Sequence, residues 1–347
     1  MFARAARARS VVVCAVLASL LAVPTAGHAA DPPAFDFATP VFGLAGAPEG
    51  RLLVADAGAG IVELRRQAGS LLVELPGATD VAPIGERKLW ALTTLPDGKL
   101  YEFERPDDLD VIADIGAFEA RVNPDGGEID SNPFDLASLG RRQVLVADAA
   151  ANALLIAKKN GSVDWVATLP DQLVPTRNAK RLVGCPDAPS EFASICDLPR
   201  RIPAQPVTTS VAVGPDGAYY LSELKGFPAP RNRSRIWRID PGARHAECGS
   251  SPACTVVARG FTSIVDINFG PDGTLHVVEI DEASWLAVEL GLGTEGGTVN
   301  ACTWPSFTCS VEAGGLTIPI AVAINRAGDV FAAVAALIPG EAKVIEI

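Results

Sequence analysis

The sequence contains few of the groups on which common enzyme chemistries depend. Histidine occurs 3 times in 347 residues, and no G-x-S-x-G motif is present, so a serine-histidine-acid triad is not expected. Phosphate-binding loops and dinucleotide fingerprints are also missing. The chain has no C-x-x-C pair, and only His245 and His276 follow the first 30 residues, which argues against a structural zinc site. The catalytic residues, if there are any, are therefore unknown.

Basic residues are scarce relative to acidic ones. The chain has 29 Lys and Arg against 41 Asp and Glu, a formal net charge of −12. An acidic surface repels phosphate, and no basic run with interleaved aromatics offsets it, so no nucleic-acid partner is expected. Beyond residue 30, no apolar run approaches the roughly 18 residues that a membrane helix needs. We therefore expect no membrane insertion of the mature chain.

The first 30 residues differ in composition from the rest. Three arginines precede an apolar run from Val11 to Val23, and small residues follow up to Ala29 and Ala30. This pattern is typical of a secretory signal peptide, with cleavage expected after Ala29 or Ala30. The remainder, residues 31–347, is expected to form one domain that is secreted or periplasmic and monomeric.

Six of the 7 cysteines lie outside the signal peptide, in three close pairs. Six cysteines allow fifteen pairings, but the short spacings favour neighbours. The expected disulfides are Cys185–Cys196, Cys248–Cys254 and Cys302–Cys309.

Short apolar segments separated by Gly, Pro, Asp and Asn predict a chain dominated by β-strands. The segment SVAVGPDGAYYLSE (210–223) aligns with DINFGPDGTLHVVE (266–279) as strand, tight turn, strand and carboxylate. Four further copies of this frame begin at residues 43, 80, 135 and 321. Six such units, each followed by more strand-like sequence, predict a six-bladed β-propeller.

The last unit lacks an outer strand before the chain ends. The segment AFDFATPVF (34–42) precedes the first inner strand and is free to supply it. We expect this N-terminal strand to complete the sixth blade, because an unpaired edge would invite aggregation.

Several stretches resemble the ScyD/ScyE family, exported NHL-like propellers first named from scytonemin pigment biosynthesis clusters. The resemblance is carried by FEARVNPDGGEIDSNPFDLASL, VLVADAAANALL, TTSVAVGPDGAYYLSELKGFP and FTSIVDINFGPDGTLHVVEID. It departs from the family in blades one, two and six, where PEG, GER and RAG replace the PDG turn. The resemblance implies an NHL-repeat propeller and an exported location, and it implies no established reaction.

In a propeller the inner strands begin, and the second strands end, on the same face, which we call the top face. Seven of the twelve residues at these positions are carboxylates: Asp56, Asp80, Asp135, Asp148, Glu223, Asp266 and Glu279. The acidic stretch NPDGGEIDSNPFD (123–135) enters the third blade on this face. Three long connections, residues 171–206, 224–235 and 281–297, emerge there as well and could form a lid.

Four of these carboxylates are candidate ligands for Ca²⁺ or another divalent cation, which oxygen-rich sites suit: Asp135, Glu223, Asp266 and Glu279. A second set is a candidate for ligand binding: Asp130, Asn132, Asp148 and Trp285. The alternative for Asp56 and Asp148 is a turn role, in which the side chain accepts backbone hydrogen bonds. Asp130, Asn132 and Asp135 could likewise cap a strand.

Two functions follow from this pattern. The first is a non-catalytic exported propeller that binds a small molecule, a glycan or an exported protein through its acidic top face, in secondary-metabolite or envelope processes. The second is a divalent-metal-dependent hydrolase or lactonase, by analogy with six-bladed propellers that hold a metal on the axis.

Overall fold

The computed structural model describes residues 36–65, 68–94 and 98–347. Within these ranges the strands form six antiparallel blades around a central axis, so the predicted six-bladed β-propeller is confirmed. The signal peptide predicted over residues 1–30 lies outside the described residues.

The first half of the chain builds three blades. Strand β1 (Asp36–Phe37) comes first, and blade 1 follows with β2 (Val41–Ala47), β3 (Arg51–Asp56), β4 (Gly60–Arg65) and β5 (Ala68–Glu74). Blade 2 comprises β6 (Ala78–Ile84), β7 (Lys88–Thr93), β8 (Lys99–Phe103) and β9 (Asp110–Asp114). Blade 3 comprises β10 (Pro133–Ser138), β11 (Gln143–Asp148), β12 (Ala153–Lys158) and β13 (Val163–Thr168).

The second half builds the other three. A hairpin of β14 (Gln172–Pro175) and β15 (Arg201–Ala204) precedes blade 4, which comprises β16 (Thr208–Val213), β17 (Tyr219–Glu223), β18 (Ser234–Ile239) and β20 (Cys254–Phe261). Strand β19 (Ala246–Glu247) joins the outer edge of blade 3 in parallel. Blade 5 comprises β21 (Ile264–Phe269), β22 (Leu275–Glu279), β23 (Gly297–Thr303) and β24 (Thr308–Leu316), and blade 6 comprises β25 (Ala321–Ile324), β26 (Val330–Val334) and β27 (Ala342–Glu346).

Each blade begins with one copy of the predicted repeat. In blade 4, for example, Val213 pairs with Tyr219 across the PDG turn, and Thr208 pairs with Glu223 at the other end of the hairpin. The second strands are buried on both faces, because each lies inside its blade and between neighbouring blades. This explains why they contain apolar runs without alternation, such as LLVAD and VLVAD.

The ring is closed by the N-terminal strand, as expected. Strand β1 pairs antiparallel with β27, with Phe37 opposite Ala342. Phe37 is 2% exposed and packs in the core cluster shared by blades 5, 6 and 1. The strand therefore supplies both the missing hydrogen-bonded edge and a buried aromatic side chain.

In the described ranges, four short α-helices lie in the connections. Helix α1 (Ile115–Val122) joins blades 2 and 3, α2 (Arg177–Leu182) and α3 (Ala193–Cys196) lie between blades 3 and 4, and α4 (Trp285–Leu290) lies inside blade 5. No helix of the described chain is long and apolar enough to cross a membrane.

The three neighbour disulfides are formed. Cys185–Cys196 stiffens the connection between blades 3 and 4. Cys248–Cys254 lies in the connection from β18 to β20, and Cys302–Cys309 closes the β23–β24 hairpin.

Candidate functional site

Four side chains near the top of the inner strands form a ring around the axis, and we call it the axial ring. Its members are Asp80, Asp135, Ser210 and Asp266. Each side chain accepts a backbone N–H from the inner strand of the next blade. The donors are the amides of Leu136 to Asp80 Oδ2 (2.9 Å), Val211 to Asp135 Oδ2 (2.5 Å), Ile267 to Ser210 Oγ (3.0 Å) and Val322 to Asp266 Oδ2 (2.7 Å).

The axial ring is also connected along its circumference. Ser210 Oγ lies 2.8 Å from Asp135 Oδ2 and 2.8 Å from Asp266 Oδ1. Gly43 completes the ring in blade 1, where a β-carbon would lie 2.3 Å from Asp80 Oδ1 and 2.6 Å from the Thr79 carbonyl oxygen. Glycine is therefore required at this position, because the Asp80 carboxyl occupies the space of a side chain.

Burial makes the carboxyls of the axial ring weak acids. It raises the pKa of Asp80 to about 7, where the hydrogen bond with Asp135 opposes the rise and the charge of Asp266 adds to it, and it raises the pKa of Asp266 to about 7 with the charge of Asp135 adding to the effect. The pKa of Asp135 is raised well above its usual value by burial and by the charge of Asp80. A side-chain hydrogen bond joins Asp80 and Asp135, so this pair retains a proton near neutral pH.

Of the predicted metal ligands, Asp135 and Asp266 meet in the axial ring through Ser210. Glu223 lies elsewhere and is fully buried in an ion-pair network of blade 4. Its partners are Arg235 Nε (2.9 Å to Oε2), Arg235 Nη2 (2.7 Å to Oε1), Trp237 Nε1 (2.7 Å to Oε1) and Lys225 Nζ (2.7 Å to Oε2). The charge of Glu223 is thus balanced by two cations of the protein.

The fourth predicted ligand, Glu279, belongs to a separate network in blade 5. Its carboxylate accepts hydrogen bonds from the Thr262 amide, from Thr298 Oγ1 at 3.2 Å and from Asn300 Nδ2 at 2.7 Å. Burial, together with the charge of Glu282, raises the pKa of Glu279 to about 7. In the part of the chain that the structure describes, no three His, Cys, Asp or Glu side chains are grouped to hold a metal ion.

Asp148, a candidate for ligand binding, takes the alternative turn role. Oδ1 accepts the amides of Asn132 at 2.7 Å and Ala151 at 3.2 Å, and Oδ2 accepts Ser131 Oγ at 2.6 Å. Burial raises its pKa to about 6. Asp56 does the same in blade 1, accepting the Gly58 and Ala59 amides at 2.9 Å each. Both carboxylates fix a turn of the top face.

The other two candidates of the acidic stretch lie beside Asp148. Asn132 Oδ1 accepts a hydrogen bond from Thr94 Oγ1 in the connection after β7. Asp130 is partly exposed, and burial raises its pKa. The stretch thus reaches the top face as predicted, with Asn132 attached to a neighbouring blade.

Glu119, which lies on helix α1 just before this stretch, was not predicted as a site residue. Glu119 is 1% exposed, and neither of its carboxylate oxygens has a hydrogen-bond partner among the described residues. Burial and the charges of Asp148, Asp125 and Asp130 raise its pKa to about 7. A signal was present, because Ile115, Phe118 and Glu119 have the spacing of one buried helix face after the N-cap Asp114.

The three long connections pack against one another, and we call this assembly the lid. Helices α2 and α4 pack together through Ala179, Leu182 and Leu286, with Ala229 from the connection inside blade 4. Asn178 joins all three connections, because its Nδ2 donates to the carbonyls of Ala229 (2.8 Å) and Ala283 (2.9 Å). The lid therefore has its own small core.

Trp285, the last candidate for ligand binding, lies at the start of α4 and is half-buried. Its Nε1 donates to the Lys225 carbonyl at 2.9 Å, and its amide donates to Ser263 Oγ at 3.0 Å. Lys225 itself is fully buried with φ 73°, and burial lowers the pKa of its ammonium group. Trp285 thus connects the lid to blade 4 and keeps part of its ring accessible.

Four half-buried apolar side chains at the top ends of different blades pack against the core shared by blades 5, 6 and 1, and we call this group the apolar mouth: Phe42, Phe134, Leu224 and Trp285. Phe42 and Phe134 immediately precede the axial positions of blades 1 and 3, and their ring centroids lie 5.9 Å apart, edge to face. Phe134 and Leu224 come from blades 3 and 4 but pack against the core of blades 5, 6 and 1. Phe134 of blade 3 therefore reaches towards blade 1, which is not its neighbour, whereas Leu224 of blade 4 can meet this core at the neighbouring blade 5.

A separate cavity of about 200 Å³ lies between blades 1 and 2, at the turns of the opposite face. Its lining includes Arg51, Glu63 and Phe103. Drug-sized ligands usually occupy about 300–1,000 Å³, and Glu63 is already paired with Arg51 at 2.7 Å. The cavity is thus a weaker candidate than the top face.

No protein-family model matches this chain, and comparison with curated proteins gave no match. Solved structures do resemble it. The PQQ-bound aldose sugar dehydrogenase of Streptomyces coelicolor is 12% identical, with 91% of this chain and 96% of that chain covered and a TM-score of 0.55. The PQQ domain of a pyranose dehydrogenase from Coprinopsis cinerea is 11% identical, with 91% and 94% covered and a TM-score of 0.55. A Bacteroides thetaiotaomicron protein of unknown function is 9% identical, with 90% and 70% covered and a TM-score of 0.56. At these identities the likeness shows the propeller fold alone.

Proposed function

We propose that this protein is an exported, ScyD/ScyE-like propeller that binds a small molecule with an apolar or aromatic part at its top face. The single observation that carries this proposal is the apolar mouth, where Phe42, Phe134 and Trp285 remain half-buried and where Trp285 also packs against the lid. Accessible aromatic rings at the end of a rigid scaffold are typical of ligand sites. The three disulfides and the resemblance to exported propellers support the location.

The size of the apolar mouth favours a small molecule over a protein partner. A standard protein interface takes about 800 Å² from each partner. Aromatic side chains carry about 150–250 Å² each, and those of the mouth are already partly covered. Four half-buried side chains therefore supply much less than a protein interface needs. A glycan would in addition call for polar groups, and the carboxylates of the axial ring already accept hydrogen bonds from the protein.

The alternative function, a divalent-metal-dependent hydrolase, finds less support in the geometry. Its four candidate ligands belong to three separate hydrogen-bond networks, and Glu223 is neutralised by Lys225 and Arg235. A metal on the axis would have to replace the hydrogen bonds that Asp135 and Asp266 make to the next blades. Such a site would weaken the contacts that join the ring.

The proposal is tested by ligand-induced thermal stabilisation of the mature protein. A panel of aromatic and alicyclic small molecules and of oligosaccharides is screened, and a ligand at 100 times its Kd should stabilise the fold by about 2.7 kcal/mol. The stabilisation should be lost in Phe134→Ala and Trp285→Ala, each compared with its own ligand-free protein. It should persist in the control Leu71→Ala, which removes an exposed side chain of β5.

Two results would contradict the proposal. One is stabilisation by oligosaccharides alone. The other is conversion of the bound compound to a product, detected by mass spectrometry, which would favour the hydrolase.

A further inference from the structure

We propose that a calcium ion binds at the C-terminal end of helix α1, between the side chains of Glu119, Asn123 and Asp125. This site is distinct from the apolar mouth and from the metal ligands predicted from the sequence. It goes beyond the proposed function and does not depend on it.

The first observation is the buried carboxylate of Glu119. The residue is 1% exposed, and both of its side-chain oxygens are buried without a hydrogen-bond partner in the described part of the chain. A buried polar group without a partner costs about 1–3 kcal/mol, and more when it is charged. Such groups are rare in folded proteins and often indicate a bound ion or water.

The second observation is an oxygen of Asn123, one helical turn further on. Asn123 caps the end of α1 in a left-handed conformation with φ 45°, and its backbone amide donates to the Glu119 carbonyl at 2.9 Å, which joins the two residues at the end of the helix. Its Nδ2 donates to the Gly127 carbonyl at 3.0 Å, which fixes the orientation of the amide. Its Oδ1 is also buried and has no partner among the described residues. Two side chains thus present buried oxygens without donors.

The surroundings favour a cation. Asp125, Asp130 and Asp148 are the negative charges that act on Glu119, and the C-terminal end of a helix is itself partially negative. Within residues 98–347, no Lys, Arg or His forms an ion pair with Glu119 or Asp125. Among these residues, the negative charge at this point of the top face therefore has no basic side chain paired with it.

The kind of oxygen present points to calcium. Ca²⁺ takes six to eight oxygen ligands, including carboxylates, amide and backbone carbonyls and water, in flexible geometry. Glu119, Asn123 and Asp125 supply two carboxylates and one amide, and the carbonyls at the end of α1 and water would complete the shell. Asp125 is held in place by Asn152 Nδ2 at 2.9 Å and by the Gly127 amide at 2.8 Å. Magnesium, which demands near-ideal octahedral geometry, suits this set less well.

The experiment is calorimetric titration of metal-stripped mature protein with CaCl₂, together with thermal unfolding in calcium. Wild-type protein should bind one Ca²⁺ with a Kd of about 1 mM or tighter, as extracellular calcium modules do. Glu119→Gln keeps the shape of the side chain and should weaken binding at least about tenfold, because it removes a charged ligand. The control Glu128→Gln removes an exposed charge from the same stretch and should leave the affinity within about twofold.

Other outcomes would overturn the proposal. If Glu119 carries a proton and binds no metal, titration of wild-type protein with CaCl₂ gives no heat of binding, and Glu119→Gln is as stable as wild type in the absence of calcium. If calcium binds equally well to wild type and to Glu119→Gln, the ion lies elsewhere. Should Glu119→Gln fail to fold, Asp125→Asn provides the same comparison at a ligand that is only partly buried. Calcium binding at this site would neither support nor contradict ligand binding at the apolar mouth, because the mouth is tested by separate variants, Phe134→Ala and Trp285→Ala.

Discussion

Asp266 is expected to make the stability of the protein depend on pH, and replacing it with asparagine should remove that dependence. Its pKa of about 7 lies well above the usual value near 3.8. The folded state therefore holds a proton on Asp266 between pH 4 and 7, where the unfolded state has released it. This contribution to stability is fully present below about pH 4 and is lost as pH rises through 7.

The size of the effect follows from the two pKa values. A difference of one in pKa corresponds to about 1.36 kcal/mol, so Asp266 could contribute up to about 4 kcal/mol between pH 4 and 7. The neighbouring carboxyls share part of this effect, because Asp135 and Asp266 influence each other through Ser210. The buried carboxylates of Glu63 and Glu102, which pair with Arg and Lys side chains, have a lowered pKa, so their contribution to stability is lost as pH falls rather than as it rises. Only the difference between wild type and Asp266→Asn in how the free energy of unfolding changes with pH therefore reports on Asp266.

The assay is urea unfolding of wild type and of Asp266→Asn between pH 4 and 8, with linear extrapolation to water. The variant also loses one acceptor, because the Val322 amide or Ser210 then faces an NH₂ group, and this cost of about 1–3 kcal/mol does not change with pH. Wild type should lose more stability than the variant as pH rises from 4 to 7. The control Glu341→Gln, an exposed carboxylate of blade 6, should follow wild type. Parallel pH profiles of wild type and Asp266→Asn would refute the reasoning.

Three further changes test the ring closure, the lid and the disulfides. Phe37→Ala should cost about 3–5 kcal/mol, because a buried aromatic side chain is lost from the closing strand; an unchanged melting temperature would contradict the role of β1. Asn178→Leu removes hydrogen bonds worth about 1 kcal/mol each, so the amides of α2 and α4 should exchange faster with solvent than in wild type, while those of blade 2 should not. Exchange rates in α2 and α4 equal to those of wild type would show that the lid is held by packing alone. Replacing Cys302 and Cys309 together by serine should cost about 2–3 kcal/mol, as the loop-closure entropy of a short loop predicts; full stability of this variant under oxidising conditions would show that the hairpin does not need its disulfide.

Much of the fold could be predicted because its signals are local. A PDG turn between two apolar segments specifies a hairpin, and short cysteine spacings specify neighbour disulfides. The closing strand was predictable from the missing edge of blade 6, since β1 is the segment that precedes the first blade. Of these inferences, only the ring closure concerned distant parts of the chain, and the unpaired edge of blade 6 supplied it.

The site was harder to predict because its chemistry depends on contacts between blades. The sequence indicated that Asp80, Asp135 and Asp266 converge, but not that each accepts an amide from the next blade. Glu223 was predicted as a candidate metal ligand, and the sequence did not indicate that Lys225, two residues away, lies buried against it. Lys225 has no periodic signal, and its left-handed backbone is set by the connection inside blade 4.

The most direct test of small-molecule binding at the apolar mouth is a crystal structure of residues 31–347 with the strongest small-molecule ligand from the thermal screen. The compound should lie at the apolar mouth, in contact with Phe42 and Phe134 and beside Trp285. A compound bound instead in the cavity between blades 1 and 2, against Arg51 and Phe103, would contradict it.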